Sequence, residues 1–251
     1  MPINKEIVAR NFGKFAKNYD KEAFIQKKVA EKLANIVEEN CNISLAKDVI
    51  DLGAGTGFLS RNILKKHPNQ EISQFDLSPQ ILNENQFTPQ IIGDIDNLPF
   101  SPNSFDLILS SLALQWSSDL AKTIKNIRKT LKNNGLFFFS IIGDNTFKEL
   151  KLCMDECQIK LNINKFFTRQ CLEKICPNSE IISEDLIFNY ENLTSLLKSI
   201  KNIGASYSAQ KNFLKKSDLQ KISDFYLKTH SSGNKNQIIA TWQIFYVFCK
   251  K

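Results

Sequence analysis

The hydrophobic positions of the chain change their period from segment to segment. Short, nearly continuous apolar runs alternate with stretches whose apolar residues recur three or four positions apart, as at Leu120, Ile124 and Ile127. The first pattern is typical of strands buried on both faces of a parallel sheet, and the second of amphipathic helices. Strands are predicted at 49–52, 71–75, 90–92, 105–111 and 136–142. Because strand and helix alternate five times, we predict a doubly wound, Rossmann-like α/β sheet.

The segments on either side of this alternation have a different character. Residues 4–39 carry two amphipathic helical patterns, the first of them basic. Further helices are predicted near 147–162, 168–176, 192–202 and from 217, with strands at 180–189 and 238–248. Capping boxes are predicted at Thr146–Glu149 and Ser217–Gln220. We expect one domain over 1–251, with N-terminal lid helices at 1–39, a core at 47–145, and a helical cap with closing strands at 146–251.

A glycine-rich turn follows the first predicted strand. Asp51 precedes the run Gly53-Ala54-Gly55-Thr56-Gly57, and a helical pattern begins at Phe58. Glycine lets the backbone turn sharply and approach a ligand, and the open N-terminus of a helix offers unpaired N–H groups. The spacing is G-x-G-x-G, whereas a dinucleotide-binding turn has G-x-G-x-x-G. A ligand with a carboxylate or another polar tail fits this turn.

Carboxylates also follow the next two predicted strands. Asp76 comes about 20 residues after the turn, where a carboxylate can accept hydrogen bonds from both hydroxyl groups of a ribose. Asp94 is placed to accept a hydrogen bond from an adenine amino group, with Leu77 and Ile95 beside the ring. These two acids together predict a site for a nucleoside.

The end of the central strand supplies a further group of candidates. Ligands in open α/β sheets bind outside the carboxyl ends of the strands, so Leu112, Gln115 and Trp116 are expected near the reacting centre. Alternatively, Trp116 packs in the core and anchors the following helix. Tyr19, at the junction of the two N-terminal helices, is the candidate from the opposite end of the chain.

The amino-acid composition limits which binding partners and which cellular location are expected for the protein. The formal charge is +7, and the lysines are spread along the chain without a long basic block. This distribution supports nucleic-acid binding only weakly and suits an acidic protein partner or a solvated lysine-rich surface. No apolar run approaches the roughly 20 residues of a membrane span, and the N-terminus has no apolar signal core, so we expect a cytoplasmic protein. Six cysteines form no C-x-x-C pair and only two histidines are present, which favours free thiols over a metal site.

From Phe12 to Lys250 the chain resembles one family, the malonyl-[acyl-carrier protein] O-methyltransferases of biotin synthesis (BioC-type). The glycine turn and the FDLS run at 75–78 resemble the S-adenosylmethionine (AdoMet) core that class I methyltransferases share. The stretch NKEIVARNFGKFAKNYDKEAFIQ at 4–26 resembles the N-terminal lid of the BioC-type family. Two stretches are more specific: SFDLILSSLALQW at 104–116 and, most of all, KSIKNIGAS at 198–206. Ala54 stands where cysteine is common in the family, a change of little consequence in a turn that binds through its backbone.

The resemblance implies a reaction and a set of contacts. A methyl group moves from AdoMet to the free carboxylate of a malonyl group on an acidic acyl-carrier protein, with no metal. The implied AdoMet contacts are Asp51, Gly53, Ala54, Gly55, Gly57, Asp76, Leu77, Asp94, Ile95 and Leu112. Tyr19, Gln115, Trp116 and Lys201 are the candidate contacts to the malonyl thioester. We expect a monomer that binds neither nucleic acid nor membrane.

Three other functions remain open on the sequence. One is methylation of another small molecule or a quinone on the same core. A second is a complex-I assembly protein with arginine hydroxylase activity, but that family tends to have histidine at the position of Gln115 and lacks the K-x-I-G-A form of 201–205. The third is an AdoMet-binding regulator without catalysis, which the intact acids at 51, 76 and 94 disfavour.

Overall fold

The computed structural model describes residues 5–159, 166–202, 215–232 and 237–251. These residues pack as two compact units. The larger unit takes in the described residues up to Ile141, with Thr168–Ile182 and Phe245–Lys251. The smaller unit takes in the described residues within Ile142–Phe167 and Ser183–Ile244. The expected arrangement of one domain in three segments stays a prediction.

Within these ranges the chain forms helices and strands in the predicted alternation. The helices are α1 (Lys5–Glu22), α2 (Phe24–Asn40), α3 (Phe58–Lys66), α4 (Pro79–Leu82), α5 (Leu120–Thr130), α6 (Lys148–Glu156), α7 (Arg169–Ile175), α8 (Leu193–Asn202) and α9 (Lys216–Thr229). The strands are β1 (Val49–Leu52), β2 (Ser73–Asp76), β3 (Gln90–Ile92), β4 (Phe105–Ser111), β5 (Leu131–Ile142), β6 (Glu180–Tyr190) and β7 (Ile238–Lys250).

The strands form one sheet in the order β3-β2-β1-β4-β5-β7-β6, and each has residues in the larger unit. β1 pairs in parallel with β2 and β4, β2 with β3, and β4 with β5. The winding direction reverses between β1 and β4, which creates the crevice where ligands bind in such sheets. The predicted doubly wound α/β fold is confirmed.

Apolar runs make the central strands the core of the larger unit. All four residues of β1 are buried, and Phe137, Phe138 and Phe139 of β5 are completely inaccessible to solvent. Phe138 stacks on Phe248, with ring centroids 5.2 Å apart. Helix α5 begins where predicted, because the Asp119 side chain accepts a hydrogen bond from the backbone N–H of Lys122 at 3.0 Å.

Both predicted capping boxes are wrong. Helix α6 begins after Phe147, whose φ is 60°, and the Thr146 hydroxyl instead bonds to the backbone N–H and C=O of Gln243. The buried Glu149 carboxylate accepts hydrogen bonds from the backbone N–H and the hydroxyl of Thr241. Helix α9 begins at Lys216, so Ser217 lies inside it, and no side chain caps its N-terminus. In the first predicted box, both side chains therefore bond to residues of β7 and not to the N-terminal backbone of the helix.

Candidate functional site

A cavity lies at the carboxyl ends of the first four strands, within the larger unit. It encloses about 860 Å³ of atom-free space, part of it open to solvent, which suits a small organic ligand. Most of the predicted site residues line it: Tyr19, Asp51, Gly53, Ala54, Gly55, Asp76, Leu77, Asp94, Ile95, Leu112 and Trp116. The sheet brings these residues together because the carboxyl ends of parallel strands meet at one edge.

The glycine turn forms the floor of the cavity in a conformation that other residues rarely adopt. The φ angles of Gly53 and Gly55 are 72° and 54°. A Cβ atom at Gly53 would lie 2.2 Å from the Cβ of Ala113, so the turn and the loop after β4 are in close contact. A Cβ at Gly55 would meet nothing nearer than Ile81 at 3.9 Å. Gly53 is therefore required by packing, whereas Gly55 leaves room beside its backbone for a ligand.

Asp76 is held rigidly at the end of β2. One carboxylate oxygen accepts a hydrogen bond from the backbone N–H of Gly55 at 2.9 Å, and the other accepts one from the N–H of Ser78 at 2.9 Å. Burial raises the pKa of this carboxyl, although both hydrogen bonds act in the opposite direction. Each carboxylate oxygen keeps a lone pair for a hydroxyl group of a ligand.

Asp51 is the most deeply buried acid of the cavity, with an exposed fraction of 1%. Ser60 donates a hydrogen bond to its Oδ2 at 3.0 Å, and Gln74 donates to the Ser60 hydroxyl at 2.9 Å. Its Oδ1 is buried without a hydrogen-bond partner. Burial raises the pKa of Asp51 to about 7, the Ser60 hydrogen bond lowers it, and the neighbouring Asp76 raises it. A carboxylate in this position strongly favours a cationic ligand.

Asp94 reaches the cavity from the loop after β3 and already has two partners. Its Oδ1 accepts hydrogen bonds from the Lys5 ammonium group at 2.8 Å and from the backbone N–H of Asp96 at 2.9 Å. Lys5 also pairs with Asp96 at 3.0 Å. Helix α1 is thereby tied to the loop that the sequence assigned to adenine recognition.

Tyr19 packs against an aromatic ring that also contacts a basic side chain. Its ring stacks on Phe58 with centroids 6.2 Å apart, and the Arg61 guanidinium lies over the same Phe58 ring at 5.5 Å. Burial raises the pKa of the Tyr19 phenol, and Asp76 and Asp20 raise it further. The phenol therefore stays protonated at neutral pH and acts as a neutral hydrogen-bonding group.

Two predicted site residues, Gly57 and Gln115, do not line the cavity, and the side chain of a third, Lys201, is outside the described part of the chain. Gly57 precedes α3 with a φ of 82°, and a Cβ there would meet Asn85 rather than the cavity. Gln115 does not line the cavity, and its amide donates to the backbone oxygen of Leu112 at 2.5 Å. Lys201 falls in the last turn of α8, but its side chain and residues 203–206 lie outside the described part of the chain.

The cavity lining also includes residues that were not predicted, among them Lys5, Gln26 and Thr56. Thr56 lies inside the glycine turn, so its position was a usable signal. Gln26 lies in the first turn of α2 and Lys5 at the start of α1, and both belong to the predicted lid helices, but no local signal distinguishes them from their neighbours there.

All six cysteines are free thiols. Among the described residues, no group of three or more histidine, cysteine or acidic side chains is arranged to hold a metal ion. In the same part of the chain, no helix has both the length and the apolar character needed to cross a bilayer.

Comparisons with known proteins match both the core and nearly the whole length of the chain. The methyltransferase domain family matches residues 50–139, which span β1 to most of β5. The malonyl-[acyl-carrier protein] O-methyltransferase of Priestia megaterium is 30% identical, covering 92% of this chain and 93% of the relative. The enzyme of the same name from Halalkalibacterium halodurans is 30% identical over the full length of both chains.

Solved structures show the same fold. The YcgJ protein from Bacillus subtilis superposes with a TM-score of 0.57, covering 87% of this chain and 97% of its own, at 16% identity. At that identity the likeness shows that the chain shares the fold.

Proposed function

Because the chain belongs to the malonyl-[acyl-carrier protein] O-methyltransferase family, we propose that it transfers a methyl group from AdoMet to the free carboxylate of a malonyl group on an acyl-carrier protein. The product is the methyl ester, an early intermediate of biotin synthesis. The observation that carries the proposal is identity of 30% over nearly the whole length of two relatives, beyond the shared methyltransferase core.

The residues of the cavity fit AdoMet. Gly55 has open space where a side chain would stand, and Asp51 has a buried oxygen that lacks a partner. These two features suit the backbone approach and the ammonium group of the amino-acid tail. The Asp76 carboxylate suits the ribose hydroxyls, and Leu77 and Ile95 supply apolar contacts for the adenine ring. When bound, AdoMet supplies a methyl group on a positively charged sulfur.

The acceptor side of the proposal rests on Tyr19 and Trp116, which line the same cavity. A protonated Tyr19 can donate a hydrogen bond to the malonyl carboxylate without repelling it. The malonyl carboxylate is already ionised near pH 7, so no side chain has to remove a proton. The protein's task is to align the carboxylate oxygen with the methyl group and to exclude water. Contacts from Gln115 and Lys201 stay predictions.

The partners follow from the same proposal. An acidic carrier protein suits a chain with a formal charge of +7. A monomeric state, a cytoplasmic location, and the lack of binding to nucleic acid or membrane stay predictions. The relatives favour this function over a quinone methyltransferase, an arginine hydroxylase or a regulator.

The test is a transfer assay with three acceptors. The protein is incubated with methyl-labelled AdoMet and with malonyl-, succinyl- or acetyl-loaded carrier protein. We expect a base-labile methyl ester on the malonyl carrier, less on the succinyl carrier, and none on the acetyl carrier, which has no free carboxylate.

Two variants control this assay. Asp76→Ala removes a cavity carboxylate and should abolish transfer. Asp185→Ala removes an acid that pairs with Lys148 at 3.1 Å in the smaller unit, and transfer should persist. Absence of label on all three acceptors with the unmodified protein would contradict the proposed function.

A further inference from the structure

Three buried oxygen atoms without a hydrogen-bond partner belong to residues that line the cavity. They are Asp51 Oδ1, Thr56 Oγ1 and Gln26 Oε1. Such atoms are costly, because a polar group buried without a partner loses its hydrogen bonds to water and gains nothing in return. Where a native site keeps several of them together, a ligand that supplies the missing hydrogen bonds is the physical explanation to test first.

The three atoms come from separate parts of the chain. Asp51 lies in β1, Thr56 in the glycine turn that follows, and Gln26 in the first turn of α2. Asp51 and Thr56 are 1% and 2% exposed. The other unpartnered oxygens of the described residues belong to Asp20, Gln115 and Ser199, none of which lines the cavity. The concentration at one cavity therefore distinguishes these three.

We propose that Gln26 and Thr56 complete, with Asp51, the binding site for the ammonium group of AdoMet. The inference rests on the proposed function and assigns two further residues to the binding site of the methyl donor, AdoMet. An ammonium group has three N–H donors and no acceptor, and the cavity offers three oxygens that can accept. One of the three is a carboxylate, which supplies the opposite charge.

Other parts of the ligand match these atoms less well. A ribose hydroxyl donates a single hydrogen bond, and Asp76 already offers carboxylate oxygens for it. A carboxylate on the ligand has no donor to give and would be repelled by Asp51 when that acid is ionised. An ordered water could satisfy one or two of the oxygens, but it carries no charge to offset the buried carboxylate.

The test compares two ligands that differ only in the ammonium group. S-adenosylhomocysteine carries it, and 5′-S-(3-carboxypropyl)-5′-thioadenosine has a hydrogen in its place. Gln26→Met and Thr56→Val remove the acceptor oxygens at nearly constant volume. Each should weaken binding of S-adenosylhomocysteine by about tenfold or more, the usual effect of a lost hydrogen bond to a charged group, and leave binding of the deamino ligand within about twofold.

Conservative variants and a distant variant make the result specific. Thr56→Ser and Gln26→Glu keep an acceptor oxygen and should restore preference for the ammonium ligand. Lys32→Met, on an exposed position of the same helix α2, should bind both ligands as the unmodified protein does. Binding is measured by calorimetry, and circular dichroism shows whether each variant is folded.

The outcomes separate this inference from the proposed function. Equal weakening of both ligands, or no weakening of either, in Gln26→Met and Thr56→Val would overturn the assignment to the ammonium group. The assay contains no malonyl acceptor, so it does not depend on which substrate receives the methyl group. Conversely, a protein that methylates no malonyl carrier can still show the predicted ligand preference.

Discussion

Asp51 shows how one residue sets the electrostatics of the site. Burial raises its pKa to about 7, and the Ser60 hydroxyl opposes this shift by donating a hydrogen bond to the carboxylate. In the free protein the side chain is therefore about half ionised near neutral pH. Because its pKa is raised above the unfolded value of about 4, Asp51 favours folding at low pH, and that contribution is lost as the pH rises through 7.

The same shift predicts how cofactor binding depends on pH. Only the ionised form of Asp51 attracts an ammonium group, so affinity for S-adenosylhomocysteine should increase between pH 5.5 and 7.5, with a midpoint near the pKa of about 7. Ser60→Ala removes the hydrogen bond that lowers the pKa, and the midpoint should move to higher pH. Calorimetric titrations across this range measure both curves.

Asp51→Asn is the control for this prediction. It cannot ionise, so binding should be weak and independent of pH over the same range. A Ser60→Ala midpoint that is unchanged or shifted to lower pH would contradict the role given to the Ser60 hydroxyl.

At the scale of elements, the strand, turn and helix from Val49 to Lys66 form the base on which the site is built. The turn positions Asp51 and Thr56, accepts no side chain at Gly53, and leaves space at Gly55. From outside this strand-turn-helix segment, helix α1 contributes Lys5 and Tyr19, and α2 contributes Gln26. The site thus combines a locally encoded floor with walls from the N-terminal helices.

Alanine substitutions at Gly53 and Gly55 distinguish a glycine required for packing from one that leaves space for a ligand. Gly53→Ala should lower the free energy of unfolding by roughly 2–4 kcal/mol, because left-handed strain adds to overlap with Ala113. Gly55→Ala adds only the strain, about 1–2 kcal/mol, but its methyl group reduces the space for a ligand. Urea unfolding and S-adenosylhomocysteine binding measure the two effects.

The two variants should differ in the balance between lost stability and lost affinity. Gly55→Ala should lose more affinity than stability, and Gly53→Ala should be the less stable protein. If Gly55→Ala binds S-adenosylhomocysteine as tightly as the unmodified protein, the backbone of Gly55 does not approach the ligand.

At the scale of the whole molecule, the net charge of +7 is relevant to the proposed partner. Opposite net charges accelerate the encounter of two proteins, and salt screens that attraction over about 8–10 Å at physiological ionic strength. A small malonyl thioester carries only the single charge of its carboxylate, so this attraction accelerates its encounter with the protein much less.

The charge therefore predicts a salt effect that depends on the acceptor. Raising NaCl from 50 to 500 mM should lower kcat/KM for the malonyl carrier protein by about tenfold, mainly through the association step. For malonyl-N-acetylcysteamine the change should be much smaller, about twofold or less. Equal salt dependence for the two acceptors would show that charge does not guide docking of the carrier.

Local sequence patterns were sufficient to predict the parallel core and the floor of the cavity. Their signals are local: apolar runs for buried strands, glycines where φ is positive, and acids directly after strands. Asp51, Asp76 and Asp94 could be assigned in advance, because the ends of parallel strands must meet at one edge of a sheet. The family resemblance supplied the substrate, which no residue of the core reveals.

The hydrogen-bond partners of individual side chains became known only from the three-dimensional packing. Thr146 and Glu149 have the spacing of a capping box, yet both bond to β7, nearly one hundred residues later in the chain. The Gln115 amide donates a hydrogen bond to the backbone oxygen of Leu112, a partner that its place in the sequence did not indicate. Gln26 and Thr56 became candidates for the ammonium site because packing buries their side-chain oxygens without a hydrogen-bond partner. Hydrogen bonding and burial depend on neighbours in space, which the order of residues does not specify.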